Sequence, residues 1–209
     1  MRRSTAMAWR GLGSAELRGR LAQEAARIIS EQGVQDYGLA KRKAAQRLGV
    51  REAGALPSNS EIETCVTEWQ RIFEPESHRN RLKELRCLAV DIITFLSPFE
   101  PRLTGSVLTG AITANSLIEI HLFTDAPEEV ILKLEESGIH YRDCERRHRY
   151  SDQRISIIPG YRFTFQGERV AALVFPEKGL RQAPMSLVDR RPMPRAHRAR
   201  VLAILQDTA

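Results

Sequence analysis

The sequence has few cysteines and no long apolar run. Its three cysteines, Cys65, Cys87 and Cys144, lack the even number of a disulfide framework and the close spacing of a zinc site. No segment reaches the roughly 18 consecutive apolar residues of a membrane-spanning helix. These absences exclude a disulfide-stabilised scaffold and a transmembrane helix. Because the first residues do not resemble a secretion signal, we expect a cytoplasmic protein.

The individual cysteines have different surroundings. Cys65 and Cys87 fall near apolar positions of helical patterns, which predicts that both pack in a core. Cys144 lies among arginine and histidine residues, which would lower the pKa of its thiol.

The composition is that of a folded globular protein with an excess of positive charge. Hydrophobic residues make up 42% of the chain and charged residues 28%, which argues against global disorder. Lysine and arginine total 32 against 26 aspartate and glutamate residues, a formal net charge of +6. Two interpretations follow: a well-solvated surface, or attraction to the phosphates of nucleotides and nucleic acids.

The positive charge is concentrated in two segments. In the helical pattern over residues 38–48 every charged residue is basic, and no acid follows until Glu52. Residues 181–200 are arginine-rich and contain one acid, Asp189. Such segments either bind RNA or DNA phosphates or form a solvated surface. The candidate nucleic-acid-binding residues are Lys41, Arg42, Lys43 and Arg47.

Hydrophobic periodicity divides the chain into a helical first part and a mixed second part. Helices followed by a mixture of strands and helices are typical of an α+β protein. The sequence therefore predicts a helical N-terminal region followed by a mixed β-sheet core with flanking helices. We expect a flexible tail over residues 1–16, a helical region over 17–78, the core over 79–175, and a proline- and arginine-rich tail with a C-terminal helix over 176–209.

Capping residues and helix breakers mark the helix boundaries. Ser60 and Glu63 have the spacing of a capping box, which predicts the start of a helix that Pro75 ends. Asp125 is expected to cap a later helix, which Gly138 ends. The other helices are predicted over residues 17–32, 38–48, 79–96 and about 195–206.

The period changes to that of β-strands after Pro101. Gly105-Ser106 is interpreted as a tight turn after the first short strand, and Pro159-Gly160 as a break between two strands. Strands are predicted over residues 102–104, 116–123, 139–150, 154–158, 161–165 and 169–175.

The segment from Gly105 to Phe123 carries the clearest chemical signal. A Gly105-Ser106 turn either offers backbone N–H groups and a hydroxyl to a phosphate or is an ordinary turn. Because residues two apart on a strand share a face, Glu119 and His121 lie on the same side as Leu117, Phe123 and Asp125. Acidic residues beside a phosphate-holding turn can carry magnesium between triphosphate oxygens.

This arrangement resembles the nucleotidyltransferase superfamily, which includes DNA polymerase beta and the minimal bacterial nucleotidyltransferases. Those proteins have a long helix, a strand, Gly-Ser, a loop, and a strand with Asp-x-Asp or Asp-x-Glu. The helix over 79–96, Gly105-Ser106 and the strand over 116–123 match that order, and the resemblance covers residues 79–175. It implies a nucleotidyltransferase-like core, a nucleoside triphosphate substrate and magnesium.

The resemblance also implies roles for individual residues. Gly105 and Ser106 would bind nucleotide, and Glu119 would hold the metal at the second carboxylate position. His121 would assist Glu119 in catalysis, and Asp125 would add a metal ligand. The charge of the triphosphate would be balanced by Arg102, Arg142 or Arg154.

Two departures from the family pattern leave the function open. Leu117 stands at the first carboxylate position, and the strand over 169–175, where the third is expected, contains no acid. Two-metal phosphoryl transfer needs several carboxylates, and Glu119 is one. The chain is either a magnesium-dependent nucleotidyltransferase acting on a protein or nucleic acid acceptor, or a pseudoenzyme of that fold that binds nucleotide or nucleic acid. A third alternative is a scaffold whose helical region docks a partner.

Overall fold

The computed structural model describes residues 14–34, 36–50, 56–73 and 75–207, with the backbone alone for 70–73 and 75. The described chain has an α+β fold with an N-terminal helical region, as the sequence predicts. Its helices are α1 (Ser14–Gln32), α2 (Tyr37–Leu48), α3 (Asn59–Phe73), α4 (Pro75–Phe95), α5 (Gly105–Thr109), α6 (Pro127–Glu136) and α7 (Arg198–Asp207). Its strands are β1 (Arg102–Thr104), β2 (Ile118–Phe123), β3 (Tyr141–Arg149), β4 (Ile155–Phe165) and β5 (Glu168–Phe175).

The chain divides into two compact units. The described residues up to His78 form the helical unit together with Ala111–Ser116 and Leu187–Asp189. The sheet unit comprises Arg79–Gly110, Leu117–Ser186 and the described residues from Arg190 onward.

In the helical unit, α1 packs against α2 and α3. Leu21, Ile28 and Ile62 are wholly buried, and alanines of α2 complete the core. The start of α1 corrects one prediction: residues 14–16, expected in the flexible tail, are helical. The rest of that tail, residues 1–13, lies outside the described residues.

The capping box of α3 lies two residues earlier than predicted. The Ser58 hydroxyl accepts a hydrogen bond from the Glu61 amide at 3.1 Å, and the Glu61 carboxylate accepts one from the Ser58 amide at 2.6 Å. Both Ser58–Glu61 and Ser60–Glu63 have the required spacing, and the helix begins at the earlier one, immediately after Pro57. The prediction that Ser60 opens the helix is therefore wrong.

Pro75 both separates two helices and begins the second. α3 ends at Phe73, and α4 starts at Pro75 rather than at Arg79. Proline suits a first helical position because the amide there has no partner in the helix.

Cys87 on α4 is exposed, which corrects its predicted place in the core, whereas Cys65 is partly buried.

The sheet has the strand order β1-β2-β5-β4-β3. β2 and β5 are parallel, and the other neighbouring pairs are antiparallel. β4 is one strand, so the predicted break at Pro159-Gly160 is wrong. Pairing with β5 stops at Gly160, and β4 continues beyond it beside β3 alone. Pro159 therefore lies just beyond the pairing with β5, where β4 has a paired strand on one side, a position at which proline is tolerated.

One face of the sheet is covered by α4 and α6. The rings of Phe95 on α4 and Phe165 on β4 have centroids 5.5 Å apart, and the Tyr161 hydroxyl donates to the Pro127 carbonyl at 3.4 Å. Alternation along β2 buries one set of its side chains on this face: Ile118, Ile120 and Leu122.

The segment before α7 is attached to the edge of the sheet. Leu103 and Ala196 exchange two backbone hydrogen bonds of 2.8 and 2.9 Å, and the Thr104 hydroxyl donates to the Pro194 carbonyl. This pairing fixes Arg195 beside β1. None of the described helices has the length and apolar character needed to cross a membrane.

Candidate functional site

The second face of the sheet, which we call the Glu119 face, carries most of the polar side chains. Residues paired across neighbouring strands point to the same side of a sheet, so the register defines its members. Thr104, Glu119, Ala171, Arg162 and Arg142 form one row across the five strands. The face also includes His121 and Phe123 on β2, Leu173 and Phe175 on β5, Gly160 on β4, and Cys144, Arg146 and His148 on β3.

Glu119 lies directly beside Gly105. A Cβ at Gly105 would be 2.9 Å from the Glu119 carboxyl carbon, and the backbone of Gly105 has a φ of +71°. Both features favour glycine, since a side chain would collide and the left-handed conformation would be strained. Gly105 and Ser106 do not form the predicted tight turn. They begin the short helix α5, which ends at Gly110.

Arg146 forms an ion pair with Glu119. Its guanidinium donates to the Glu119 carboxylate at 2.6 Å, and the side chains are 33% and 22% exposed. In a flat sheet the two residues would be separated by about 14 Å across three strand spacings and about 13 Å along four residues. The end of the β3–β4 hairpin must therefore curl over the Glu119 face.

Gly160 permits the close approach of β4 and β5 at this curl. A Cβ at Gly160 would lie 2.3 Å from the carbonyl oxygen of Ala172 and 2.9 Å from the Cα of Leu173. Both neighbours are backbone atoms, so they cannot move aside as a side chain could. The Pro159-Gly160 sequence therefore marks the curl, although it does not end the strand.

The residues beside Glu119 do not fit a magnesium site. The residue at the first carboxylate position is Leu117, which has no ligand atom. The partner of Glu119 on β5 is Ala171, which has none either. Nowhere in the described residues do three histidine, cysteine, aspartate or glutamate side chains come together as a metal-binding group. Magnesium requires several oxygen ligands. Of the described residues, Glu119 is the one carboxylate here, and its charge is neutralised by Arg146.

Asp125 is not brought to Glu119. The four residues from Glu119 to Phe123 already span about 13 Å of strand, so Asp125 cannot share an ion with Glu119. Its carboxylate instead accepts a hydrogen bond from the Glu177 amide at 3.2 Å. It also does not cap α6, whose N-cap is Ala126, and Pro127 begins the helix without a side-chain cap. The predicted capping role is therefore wrong.

His121 shares the face with Glu119 but is wholly buried. Its ring lies 4.5 Å from that of Phe175 and 5.9 Å from that of His148, between centroids. Burial, reinforced by the charge of Arg195, lowers the pKa of His121 well below its ordinary value. Burial likewise lowers the pKa of His148 to about 4. Both rings are neutral at pH 7.

Arg195 is a partly buried guanidinium to which the described residues offer no acidic partner. It donates to His121 Nδ1 at 3.0 Å and to the Gly179 carbonyl at 2.8 Å. Its charged carbon lies 4.9 Å from the ring of Phe123 and 5.0 Å from that of Phe175. It forms no ion pair within the described part of the chain, and burial lowers its pKa to about 10.

Two exposed arginines stand side by side at the edge of the Glu119 face. Arg142 on β3 is the direct cross-strand partner of Arg162 on β4. Neither forms an ion pair with any residue that the structure describes. The Arg162 guanidinium also hydrogen-bonds Cys144, yet burial is the larger effect and raises the pKa of this thiol. The predicted lowering of the Cys144 pKa is therefore wrong.

The other two arginines considered for the triphosphate charge are engaged locally. Arg102 donates to the carbonyls of Glu100 and Pro101 and pairs with the Glu100 carboxylate at 3.0 Å. Arg154 lies 4.2 Å from the ring of Tyr150 and hydrogen-bonds the Gln182 side chain. Arg142, which projects from the Glu119 face, is the one of the three without such a partner among the described residues.

Arg86 holds α5 in place and was not predicted. It is 6% exposed and donates to the carbonyls of Val107 and Leu108, both at 3.1 Å. These are carbonyls of the last residues of α5, which need donors from outside a short helix. The sequence signal for this role was the charge of Arg86 within the apolar stripe of the helix predicted over residues 79–96.

The basic helix α2 lies in the helical unit, with its charged residues largely engaged in that unit. Arg47 pairs with Glu24 at 2.9 Å, and Lys43 donates to Gln32 at 3.2 Å. Burial lowers the pKa of Lys41, although the charge of Glu61 opposes this shift. Arg42 is exposed. These contacts favour the solvated-surface interpretation for Lys43 and Arg47.

Comparison with known proteins adds no relative. No family model matches the sequence, and no curated protein is significantly similar to it. The resemblance to the nucleotidyltransferase superfamily therefore rests on the order of the elements from α4 to β2 and on the residues Gly105, Ser106 and Glu119.

Proposed function

We propose that this protein is a non-catalytic relative of the nucleotidyltransferase superfamily that binds the phosphates of a nucleotide or nucleic acid on the Glu119 face. The observation that carries this proposal is the ion pair of Glu119 with Arg146. In a metal-dependent transferase this carboxylate would hold magnesium together with other acids. Here its partners across the sheet are Thr104 and Ala171, and its counter-ion is an arginine.

The exposed arginines support phosphate as the ligand. Arg142 and Arg162 lie opposite each other on neighbouring strands, where like charges repel. A phosphate between them would remove that repulsion, and guanidinium groups form strong paired hydrogen bonds with phosphate oxygens. The neighbouring positions of Arg142 and Arg162 are therefore more favourable with an anion bound between them than without one.

The alternative function is transfer of a nucleotidyl group. The order of α4, β1, Gly105-Ser106 and β2 favours it, since this order is the basis of the resemblance. For transfer, Glu119 would have to leave Arg146 and hold a metal whose remaining ligands come from elsewhere. Binding without transfer requires neither change.

Equilibrium binding with paired variants tests the proposal. The ligands are radiolabelled ATP, GTP, CTP and UTP, together with short RNA and DNA strands and duplexes. Arg142→Gln/Arg162→Gln removes two charges from the Glu119 face, and Arg147→Gln/Arg149→Gln removes two from the opposite face of β3. We expect the first variant to weaken binding at least about tenfold and the second to have a much smaller effect.

Two results would contradict the proposal. One is no binding to any of these ligands by the folded wild-type protein. The other is equal weakening by the two double variants, because binding would then follow total charge rather than the Glu119 face. Circular dichroism on all three proteins ensures that unfolding does not explain a loss.

A further inference from the structure

The Glu119 face carries more positive than negative charge in its partly buried region. Arg146 and Arg195 both lie there, and Glu119 neutralises Arg146. Arg195 has no acidic partner among the described residues and contacts a ring nitrogen, a carbonyl and two aromatic rings. A buried cation without a counter-ion is costly, so this region favours an anion.

Three buried polar atoms in the same region lack hydrogen-bond partners within the described chain. They are Nε2 of His121, Nε2 of His148 and one terminal nitrogen of Arg195. Arginine can only donate, so its bond to His121 Nδ1 places the proton of the neutral ring on Nε2. His121 and Arg195 therefore each present an unused donor. Donors without acceptors call for ligand oxygens, reached directly or through a bridging water.

We propose that a nucleoside triphosphate binds here without a divalent metal ion, with Arg146 supplying the positive charge that magnesium supplies in metal-dependent transferases. Glu119 positions Arg146 through the 2.6 Å ion pair, which uses a fraction of the guanidinium's five donors. Arg195 provides the second charge. This inference rests on the proposed function and specifies both its ligand and its independence of metal.

The burial of these groups favours a triphosphate over a nucleic acid duplex. Arg146 is 33% exposed on the inner side of the curled hairpin, and the unpartnered nitrogen of Arg195 is buried. A terminal triphosphate can contact the exposed part of Arg146, and a movement of the Arg195 side chain would bring its buried nitrogen to the same phosphates, whereas the phosphates of a duplex are held on its outer surface. Duplex RNA would contact the exposed Arg142 and Arg162 instead.

Metal dependence and three variants test the inference. Binding of labelled ATP and GTP is measured in EDTA and in magnesium, with AMP and inorganic tripolyphosphate as competitors. For the wild type we expect an affinity in EDTA at least as high as in magnesium, because magnesium on the triphosphate competes with Arg146 for the same oxygens. Tripolyphosphate should compete better than AMP. Arg146→Gln should weaken binding at least about tenfold, and Arg146→Lys should weaken it less. The matched control is Arg147→Gln, on the opposite face of β3.

Glu119→Gln separates an arginine-based site from a metal-based one. If Glu119 positions Arg146 without touching metal, removal of its charge lessens repulsion of the triphosphate, and affinity should rise several-fold. If Glu119 holds magnesium, the same variant should abolish binding. Arg146→Gln/Glu119→Gln guards against instability, because it leaves no unpaired carboxylate. It should bind more weakly than the wild type but better than Arg146→Gln, because the unpaired carboxylate that repels the triphosphate is also removed.

Failure of this inference differs from failure of the proposed function. Triphosphate binding that needs Arg142 and Arg162 but is unchanged in Arg146→Gln would overturn the metal-free site alone. Binding that requires magnesium and is lost in Glu119→Gln would also overturn it. Binding to duplex RNA with none to triphosphates would overturn it while the broader phosphate-binding proposal stands. Absence of all binding would remove both.

Discussion

Arg195 donates a 3.0 Å hydrogen bond to Nδ1 of His121 and thereby fixes the tautomer of a wholly buried imidazole. The bond joins the segment before α7 to the centre of β2. It also places a positive charge beside a ring that must stay neutral. His121 is therefore poorly suited to accept a proton, and its Nε2–H suits it to be a hydrogen-bond donor rather than a catalytic base.

Acid should destabilise the protein through His121 and His148. Burial holds the pKa of His148 at about 4 and that of His121 well below 6.5 in the folded state. Between pH 6.5 and about 4 the unfolded chain binds protons that the folded chain does not. As the pH is lowered through this window, the free energy of unfolding should therefore decrease, by up to about 1.4 kcal/mol per pH unit for each histidine.

Urea unfolding between pH 7 and 4.5 measures this effect, and His148→Phe isolates one contribution. The variant keeps an aromatic ring against Phe175 and removes a titrating group, so its stability should fall less steeply with pH. Parallel curves for variant and wild type would show that His148 is not held neutral.

Gly160→Ala should destabilise the sheet unit. Its Cβ would lie 2.3 Å from the Ala172 carbonyl oxygen, and a backbone atom cannot move away cheaply. We expect a loss of about 2 kcal/mol or more in the free energy of unfolding. Gly19→Ala on α1 is the comparison, because a Cβ there meets nothing within 4 Å. It should stabilise the helical unit by up to about 1 kcal/mol. Equal effects on urea unfolding would refute the argument from close approach.

Ser58→Ala should destabilise α3 more than Ser60→Ala. The Ser58 hydroxyl accepts a hydrogen bond from the Glu61 amide. Ser60 lies inside the helix, where alanine is a good helix former. We expect Ser58→Ala to lower the free energy of unfolding by about 1 kcal/mol. Ser60→Ala should be neutral or slightly stabilising. Thermal unfolding of the two variants decides between the two capping positions.

Salt should weaken nucleic acid binding in proportion to the phosphate contacts. Each contact in a duplex contributes about −0.9 to the slope of log K against log salt. Arg142→Gln/Arg162→Gln should therefore make the slope less negative by about 2, and Arg147→Gln/Arg149→Gln should leave it nearly unchanged. A filter-binding titration of duplex RNA at several salt concentrations gives the slopes. No difference between the two variants would place the contacts elsewhere.

The sequence predicted the α+β plan and most elements because the signals for these were local. Apolar spacing located α1, α2 and β2 within a few residues. The errors arose where two local signals competed or where tertiary pairing decided. Two capping boxes overlapped before α3, and Pro159-Gly160 reads as a break although β3 continues to pair with β4 there.

The candidate site was predictable in part, from β2 and the turn before it. Gly105 and Glu119 are adjacent in the structure, as the spacing of the motif suggested. Arg146 and Arg195 were missed as site residues because they are 27 and 76 positions from Glu119 in the sequence. Their approach depends on the curl of the β3–β4 hairpin and on the attachment of Ala196 to β1, and neither has a local sequence signal.

The most direct test of the central claim is label transfer from α-labelled nucleoside triphosphates. Purified protein is incubated with magnesium or manganese, bulk RNA and a cell lysate, with Glu119→Gln in parallel. At protein concentrations that bind the triphosphate, the account predicts no labelled RNA or protein above the level of the variant. Transfer by the wild type that disappears in Glu119→Gln would contradict it and establish a metal-dependent nucleotidyltransferase.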